Sequence, residues 1–139
     1  MIILDTNVLS ELWRPRPSTG ALAWLRSQPG DALFTTAINE AEILYGIELL
    51  APGRRRRELE SLARAIFGQD FMGRVLPFDS AAAREYAQIA AARRRAGRPM
   101  PEADAQIAAI GRSRGAAIAT RDMADFADCG VRVLSPWAE

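Results

Sequence analysis

Met1-Ile2-Ile3-Leu4-Asp5-Thr6-Asn7 opens the chain, and its reading decides the fold. Three consecutive apolar residues suit a strand buried on both faces. Asp5 follows at once, and Thr6 and Asn7 are residue types that open helices. A carboxylate at a buried strand-to-helix junction is costly unless something positive meets it. Alone, Asp5 is as well explained as an ordinary turn aspartate, so its meaning depends on whether other acids converge on it.

Working outward, the same alternation recurs. Helices are expected over Thr6–Trp13, Thr19–Ser27 with Ser18 as cap, Thr36–Leu50, Arg54–Gly68, Ala81–Ala96 behind Asp79 or Ser80, and Glu102–Ser113. Strands are expected over Ala32–Thr35, Val75–Phe78, Ala116–Thr120 and Val131–Leu134. Strands that alternate with helices imply an α/β sandwich with a largely parallel sheet and right-handed crossovers. With 139 residues, no internal repeat and no low-complexity linker, a single domain over 1–139 is expected.

Absences narrow the chemistry. The chain has no histidine, which removes a histidine general base, a Ser-His-Asp triad and His-ligated zinc. All 18 basic residues are arginine, so a P-loop, a Schiff base and lysine-dependent phosphate sites go too. A lone Cys129 forms neither an internal disulfide nor a cysteine cluster and fits a reducing cytoplasm. No apolar run approaches the roughly 18 residues of a membrane span, and Asp5 interrupts the only run that resembles a leader. What remains is carboxylates, hydroxyls and arginines, and clustered acids are natural ligands of Mg²⁺ or Mn²⁺.

Parallel sheets bind ligands beyond the carboxyl ends of their strands. Asp5 and Asp122 each follow a predicted strand there. On the helix Thr36–Leu50, a turn of about 100° per residue sets Glu42 on the side of Ile38, Ala41, Tyr45 and Leu49, inside an apolar stripe, unless it bends out at the stripe's edge. Asp104 occupies the first turn of Glu102–Ser113, where the dipole favours negative charge. First-turn aspartates also simply stabilise helix ends, yet Asp104 lies beside the buried side marked by Ala103, Ile107 and Ile110. Four acids converging at one end of a sheet repel one another, and a divalent cation relieves that repulsion.

Taken together, LDTNVLSEL, NEAEILYGIE, MPEADAQIAAIGRSRGAAIATRDMADF and the terminal LSPW resemble the PIN-domain ribonucleases, and most closely toxins of the VapC and FitB type. The resemblance covers nearly the whole chain. It implies a three-layer α/β/α fold around a mostly parallel five-stranded sheet of order 3-2-1-4-5, and a Mg²⁺- or Mn²⁺-dependent endoribonuclease. Asp5, Glu42, Asp104 and Asp122 match the family's acidic quartet. Thr6 and Asn7 match the polar residues after its first acid, and Thr120 a hydroxyl that organises water near the metal. Asp125 falls where many relatives carry an acid, and capping the next helical turn explains it equally well. Position 122 is asparagine in many relatives, so aspartate here strengthens the site. Pro101 stands where a small capping residue is expected, though it suits a first helical position.

The resemblance also implies an RNA substrate, a small antitoxin laid across the active-site groove, and a homodimer, with larger assemblies once the antitoxin joins. Arg54–Arg57 and Arg93–Arg95 read as solvated helix faces or as a track for phosphates; Arg98, in the loop leading to Asp104, is the preferred RNA contact. Trp13, Trp24 and Trp137 read as core and edge cover. The helix Thr36–Leu50 is apolar on a second face through Ile43, Leu44, Ile47 and Leu50, which Arg54–Gly68 or another subunit would cover. The competing functions are a catalytically silent PIN-fold module that binds RNA or protein, a Mg²⁺-dependent phosphatase and a DNA nuclease.

Overall fold

A computed structural model describes residues 1–137. The strands are β1 (Ile2–Leu4), β2 (Leu33–Thr36), β3 (Val75–Leu76), β4 (Ala117–Ala119) and β5 (Val133–Leu134). They form one sheet in the order β3-β2-β1-β4-β5, and every pairing is parallel. The helices are α1 (Thr6–Glu11), α2 (Thr19–Ser27), α3 (Ala37–Glu48), α4 (Arg54–Ala65), α5 (Ser80–Arg95) and α6 (Glu102–Arg114).

The apolar run of β1 is explained by burial on both faces. Ile3 joins a core with Ile118, Ile89, Ile107 and Ile110 under α5 and α6. Leu4, the next residue, points into a second core with Ala119, Ile43, Ile47, Leu25 and Phe67. The alternation of side chains along a strand thus divides β1 and β4 between two layers. α6 packs closely on β4: a Cβ placed on Gly111 would lie 3.4 Å from Ile118 Cγ1 and 3.6 Å from the Ala116 carbonyl.

Several elements are shorter than the sequence pattern suggests. β3 stops at Leu76 because Pro77 has no N–H to continue the ladder. β4 and β5 are each two residues shorter than expected, and beyond their ends single backbone bonds such as Thr120 N–H to the Leu134 carbonyl (2.9 Å) replace full pairing. α4 ends at Ala65 and the chain continues as a π-helical turn over Ile66–Asp70. Ser18, Thr36 and Asp79 each cap a helix by accepting an N–H from its first turn. Among the described residues no helix is long and apolar enough to cross a membrane.

α3 buries a different face from the one its apolar pattern predicts. Its buried residues are Asn39, Ile43 and Ile47, whereas Tyr45 and Leu49 are 67% and 68% exposed and Ala41 is exposed too. Glu42 therefore does not sit in a buried apolar stripe. Apolar residues encircle most of this helix, so periodicity alone could not choose its inner side. Ile43 and Ile47 are covered by Ala63, Ile66 and Phe67 from α4 and the turn after it.

Candidate active site

β1 ends in Leu4, and the next residue is already the N-cap of α1: the Asp5 carboxylate accepts the Thr6 N–H at 2.9 Å. Asp5 is 6% exposed, and three more donors meet it. Asn39 Nδ2 donates to Oδ1 at 3.1 Å, the Thr120 hydroxyl donates to Oδ2 at 2.8 Å, and Asn7 Nδ2 lies 3.4 Å from Oδ2. Four donors match the roughly four lone-pair directions of a carboxylate. Burial raises the Asp5 carboxyl above its ordinary value; the bonds from Thr120, Thr6 and Asn39 pull it down, and the Asp122 charge pushes it up again.

The β1–β4 pairing brings the second acid alongside. Thr120 follows β4 and is fully buried; its hydroxyl accepts the Asp122 N–H at 3.1 Å. Asn7 Nδ2 donates to Asp122 Oδ2 at 3.1 Å and stands 3.3 Å from Thr120 Oγ1. One amide group thus lies between the carboxylates of Asp5 and Asp122.

Glu42 turns its carboxyl into the cleft although the residue as a whole is exposed. Thr6 Oγ1 donates to Glu42 Oε1 at 3.1 Å. Burial raises its carboxyl and Asp5 adds to the rise, against the Thr6 bond. Asp104 lies in the first turn of α6, behind Pro101, which offers no side-chain cap. Its carboxyl is pushed up from 3.8 to about 6, first by burial and then by the charges of Asp5, Glu42, Asp125 and Asp122.

All four acids, with Thr6 and Asn7, line one cleft of about 510 Å³ at the carboxyl ends of β1 and β4. Thr120 lies beneath it. Asp125, in the 3₁₀ turn Met123–Phe126, adds to the field on Asp104 and is not part of the lining. Arg98 lies elsewhere, in an exposed ion pair with Asp128 at 2.8 Å. Arg93, from the expected solvated or phosphate-tracking cluster, is 9% exposed and donates to the carbonyls of Arg98 at 2.8 Å and Ala127 at 3.0 Å. Arg54 and Arg56 pair with Glu58, Glu60 and Glu48 on an outer helix face.

The donor set is all oxygen and hard, which suits Mg²⁺ or Mn²⁺, and the raised carboxyls of Asp5, Glu42 and Asp104 reflect burial together with a surplus of negative charge that such an ion would balance. Among the described residues no three of the acids already share a ligating position. That does not disqualify Mg²⁺, which keeps several waters and takes only one or two carboxylates directly. The residues present fit such an ion.

Sequence reasoning missed Asn39. It is fully buried, accepts a hydrogen bond from the Thr36 hydroxyl on Oδ1 at 2.6 Å, and donates from Nδ2 to both Asp5 and Thr6. The amide orientation is fixed: flipped, its oxygen would face the Asp5 carboxylate. The available signal was the Thr36-x-x-Asn39 spacing of a helix cap. Also missed were Glu11, Arg14 and Arg121, which complete the lining of the cleft.

A parallel sheet in this order, with acids gathered at the carboxyl ends of its central strands, defines the PIN class. The PIN domain profile matches residues 2–130, and the chain belongs to the PIN domain family. Within it the chain is similar to the VapC ribonuclease Y4jK of Sinorhizobium fredii, at 38% identity over 137 residues, covering 99% of this chain and 98% of that protein. It is likewise similar to toxin FitB of Neisseria gonorrhoeae, at 40% identity over 138 residues and 99% of each chain. The crystal structure of FitAcB from that organism superposes with a TM-score of 0.89 at 37% identity, covering 100% of both chains. The chain is a PIN-domain protein of the VapC and FitB kind.

Proposed function

We propose that this chain, as a single PIN domain over 1–139, is the toxin of a type II toxin–antitoxin pair. Its activity is that of a cytoplasmic, Mg²⁺- or Mn²⁺-dependent endoribonuclease. The observation that carries this reading is the meeting of Asp5, Glu42, Asp104 and Asp122 in one cleft, supported by full-length similarity to a VapC ribonuclease.

Asp5 and Asp104, with Asp122 and Glu42 directly or through water, would hold the ion. Bound there, a divalent cation supplies Lewis acidity for a water nucleophile and for the charge that grows on phosphorus and the leaving oxygen. The protein's own part is placement. Asn39 and Thr120 fix the Asp5 carboxylate from two sides, Thr6 ties Glu42 to the same network, and Asn7 spaces Asp122 from Asp5. No histidine is present to act as a neutral side-chain base.

A FitA-like antitoxin is the expected partner, given the FitAcB assembly of the similar toxin. The outward residues Leu44 and Tyr45 of α3 and its C-cap Leu49, each at least 44% exposed, offer an apolar surface for a homodimer. The test is cleavage of labelled RNA, with DNA in parallel, by the chain and by Asp5→Asn. Cleavage with Mn²⁺ or Mg²⁺ that chelation and Asp5→Asn both abolish supports the reading. Turnover that survives chelation overturns it, and no turnover with either ion leaves a silent PIN-fold binding module.

A further inference from the structure

The acidic cleft is also lined by two cations, Arg14 and Arg121. Arg14 is already committed to Glu11, 3.2 Å away. Arg121 is not: it forms no ion pair among the described residues, although its chain neighbour is Asp122 and the cleft is rich in carboxylates. Its guanidinium instead lies over the Trp137 ring, 4.5 Å from the centroid.

That contact has a chemical consequence. A guanidinium carries its five N–H groups in its own plane, so a cation–π contact with an indole does not use up its carboxylate- or phosphate-binding donors. The stack also holds the charge back from the quartet, where a flexible cation would neutralise an acid. The backbone is fixed as well: the Arg121 N–H donates to Asn7 Oδ1 at 3.1 Å, and the same amide spans Asp5 and Asp122. An arginine fork is thereby set at a constant offset from the acids.

We propose that Arg121, braced by Trp137, is the cleft's phosphate-binding residue and grips a backbone phosphate of RNA next to the bond that the quartet addresses. This deepens the nuclease reading and rests on it for the identity of the strand. Planar, bidentate contact with two phosphate oxygens is what an edge-on guanidinium provides. Arg98, paired with Asp128 and away from the cleft lining, serves as the control position.

The experiment measures binding of a fluorescein-labelled single-stranded RNA by anisotropy in Mg²⁺ across a salt series, in an Asp104→Asn background so that the strand stays intact. Arg121→Gln should weaken binding by about tenfold and reduce the slope of log K against log salt by about 0.7, the value for one single-strand phosphate contact. Trp137→Phe should retain both and Trp137→Ala should lose most of the affinity, while Arg98→Ala should match its parent. Calorimetric Mn²⁺ affinity of Arg121→Gln should equal or exceed its parent's, because a nearby positive charge has been removed.

Parental RNA affinity and slope in Arg121→Gln would overturn the proposal. So would joint loss of RNA binding, Mn²⁺ binding and melting temperature, which marks a structural role, or loss of binding to a poly-glutamate peptide with RNA binding intact. The two readings fail separately. RNA cleavage by the unmodified chain with no effect of Arg121→Gln removes only the Arg121 assignment. An Arg121-dependent slope without cleavage removes only the nuclease.

Discussion

Asp104→Asn should make the cation-free protein more stable. Burial and four neighbouring carboxylates lift the Asp104 carboxyl from 3.8 to about 6, and no hydrogen bond offsets the rise. A tenfold change in proton affinity is worth about 1.4 kcal/mol, so the full lift corresponds to at most about 3 kcal/mol of repulsion and desolvation in the ionised folded state. Asp104 is only partly buried, and solvent screening reduces the usable figure to about 1–2 kcal/mol. The sign follows from proton uptake. The folded state holds this proton more tightly than the unfolded chain, so the wild type gains stability as pH falls from about 7 towards 4 and carries the whole penalty above 7. Asparagine keeps the shape and removes the charge. In urea titrations with chelator at pH 7.5 the variant should therefore gain about 1–2 kcal/mol, or roughly 4–8 °C in melting temperature, and the gain should vanish near pH 4. Mn²⁺ should stabilise the wild type more than the variant, because the ion relieves what the substitution has removed. A variant equally or less stable at pH 7.5, or a gain that ignores pH, would refute the electrostatic account of the cleft.

Two further outcomes test the frame around the acids. Asn39→Leu leaves the buried Thr36 hydroxyl without its acceptor and takes one of two donors from Asp5 Oδ1, and should cost about 1–3 kcal/mol in urea and abolish cleavage. Asn39→Asp, almost the same shape, should be worse at pH 7.5 than at pH 5, and equal stability at both would show that the Asp5 contact is unimportant. Gly111→Leu pushes a branched side chain into Ile118 and the Ala116 carbonyl and should cost about 1–3 kcal/mol by overpacking; an unchanged melting curve would mean that α6 can lift off β4 freely.

The sheet was legible because β1, β4 and their neighbours carry short apolar runs that only a two-sided burial explains, with Gly/Pro punctuation between them. That Asp5, Glu42, Asp104 and Asp122 share one cleft was foreshadowed by acids beside predicted strand ends and a helix start, and the family resemblance selected which four. What escaped was polarity inside and orientation outside. Asn39 is an uncharged residue in a helix whose apolar residues run almost around the circumference, so nothing in the one-dimensional pattern marked it as buried rather than solvated. For the same reason the pattern sets Glu42 on an inner stripe, whereas it reaches the cleft from an exposed position. Arg93, Arg98 and Arg121 are the same residue type in the sequence. Only tertiary contacts separate a buried brace for loop carbonyls, an exposed ion pair and a stacked fork beside the acids.

The cleft is a place where folding and function pull apart. A carboxylate as buried as Asp5 is tolerated because four donors surround it, and those donors come from three different parts of the chain: Thr6 with Asn7, Asn39, and Thr120. Each of these parts also presents or adjoins another member of the site, since Thr6 holds Glu42 and Thr120 holds the Asp122 backbone. The hydrogen bonds that make one acid affordable therefore fix the relative positions of three. Asp104 alone has no such support, and its elevated carboxyl is what remains uncompensated. It follows that cation affinity should depend most on Asp104 for charge and most on Asn39 and Thr120 for geometry. Charge-removing and donor-removing variants should separate in a plot of stability against Mn²⁺ affinity: both weaken the ion, but only the first group gains stability.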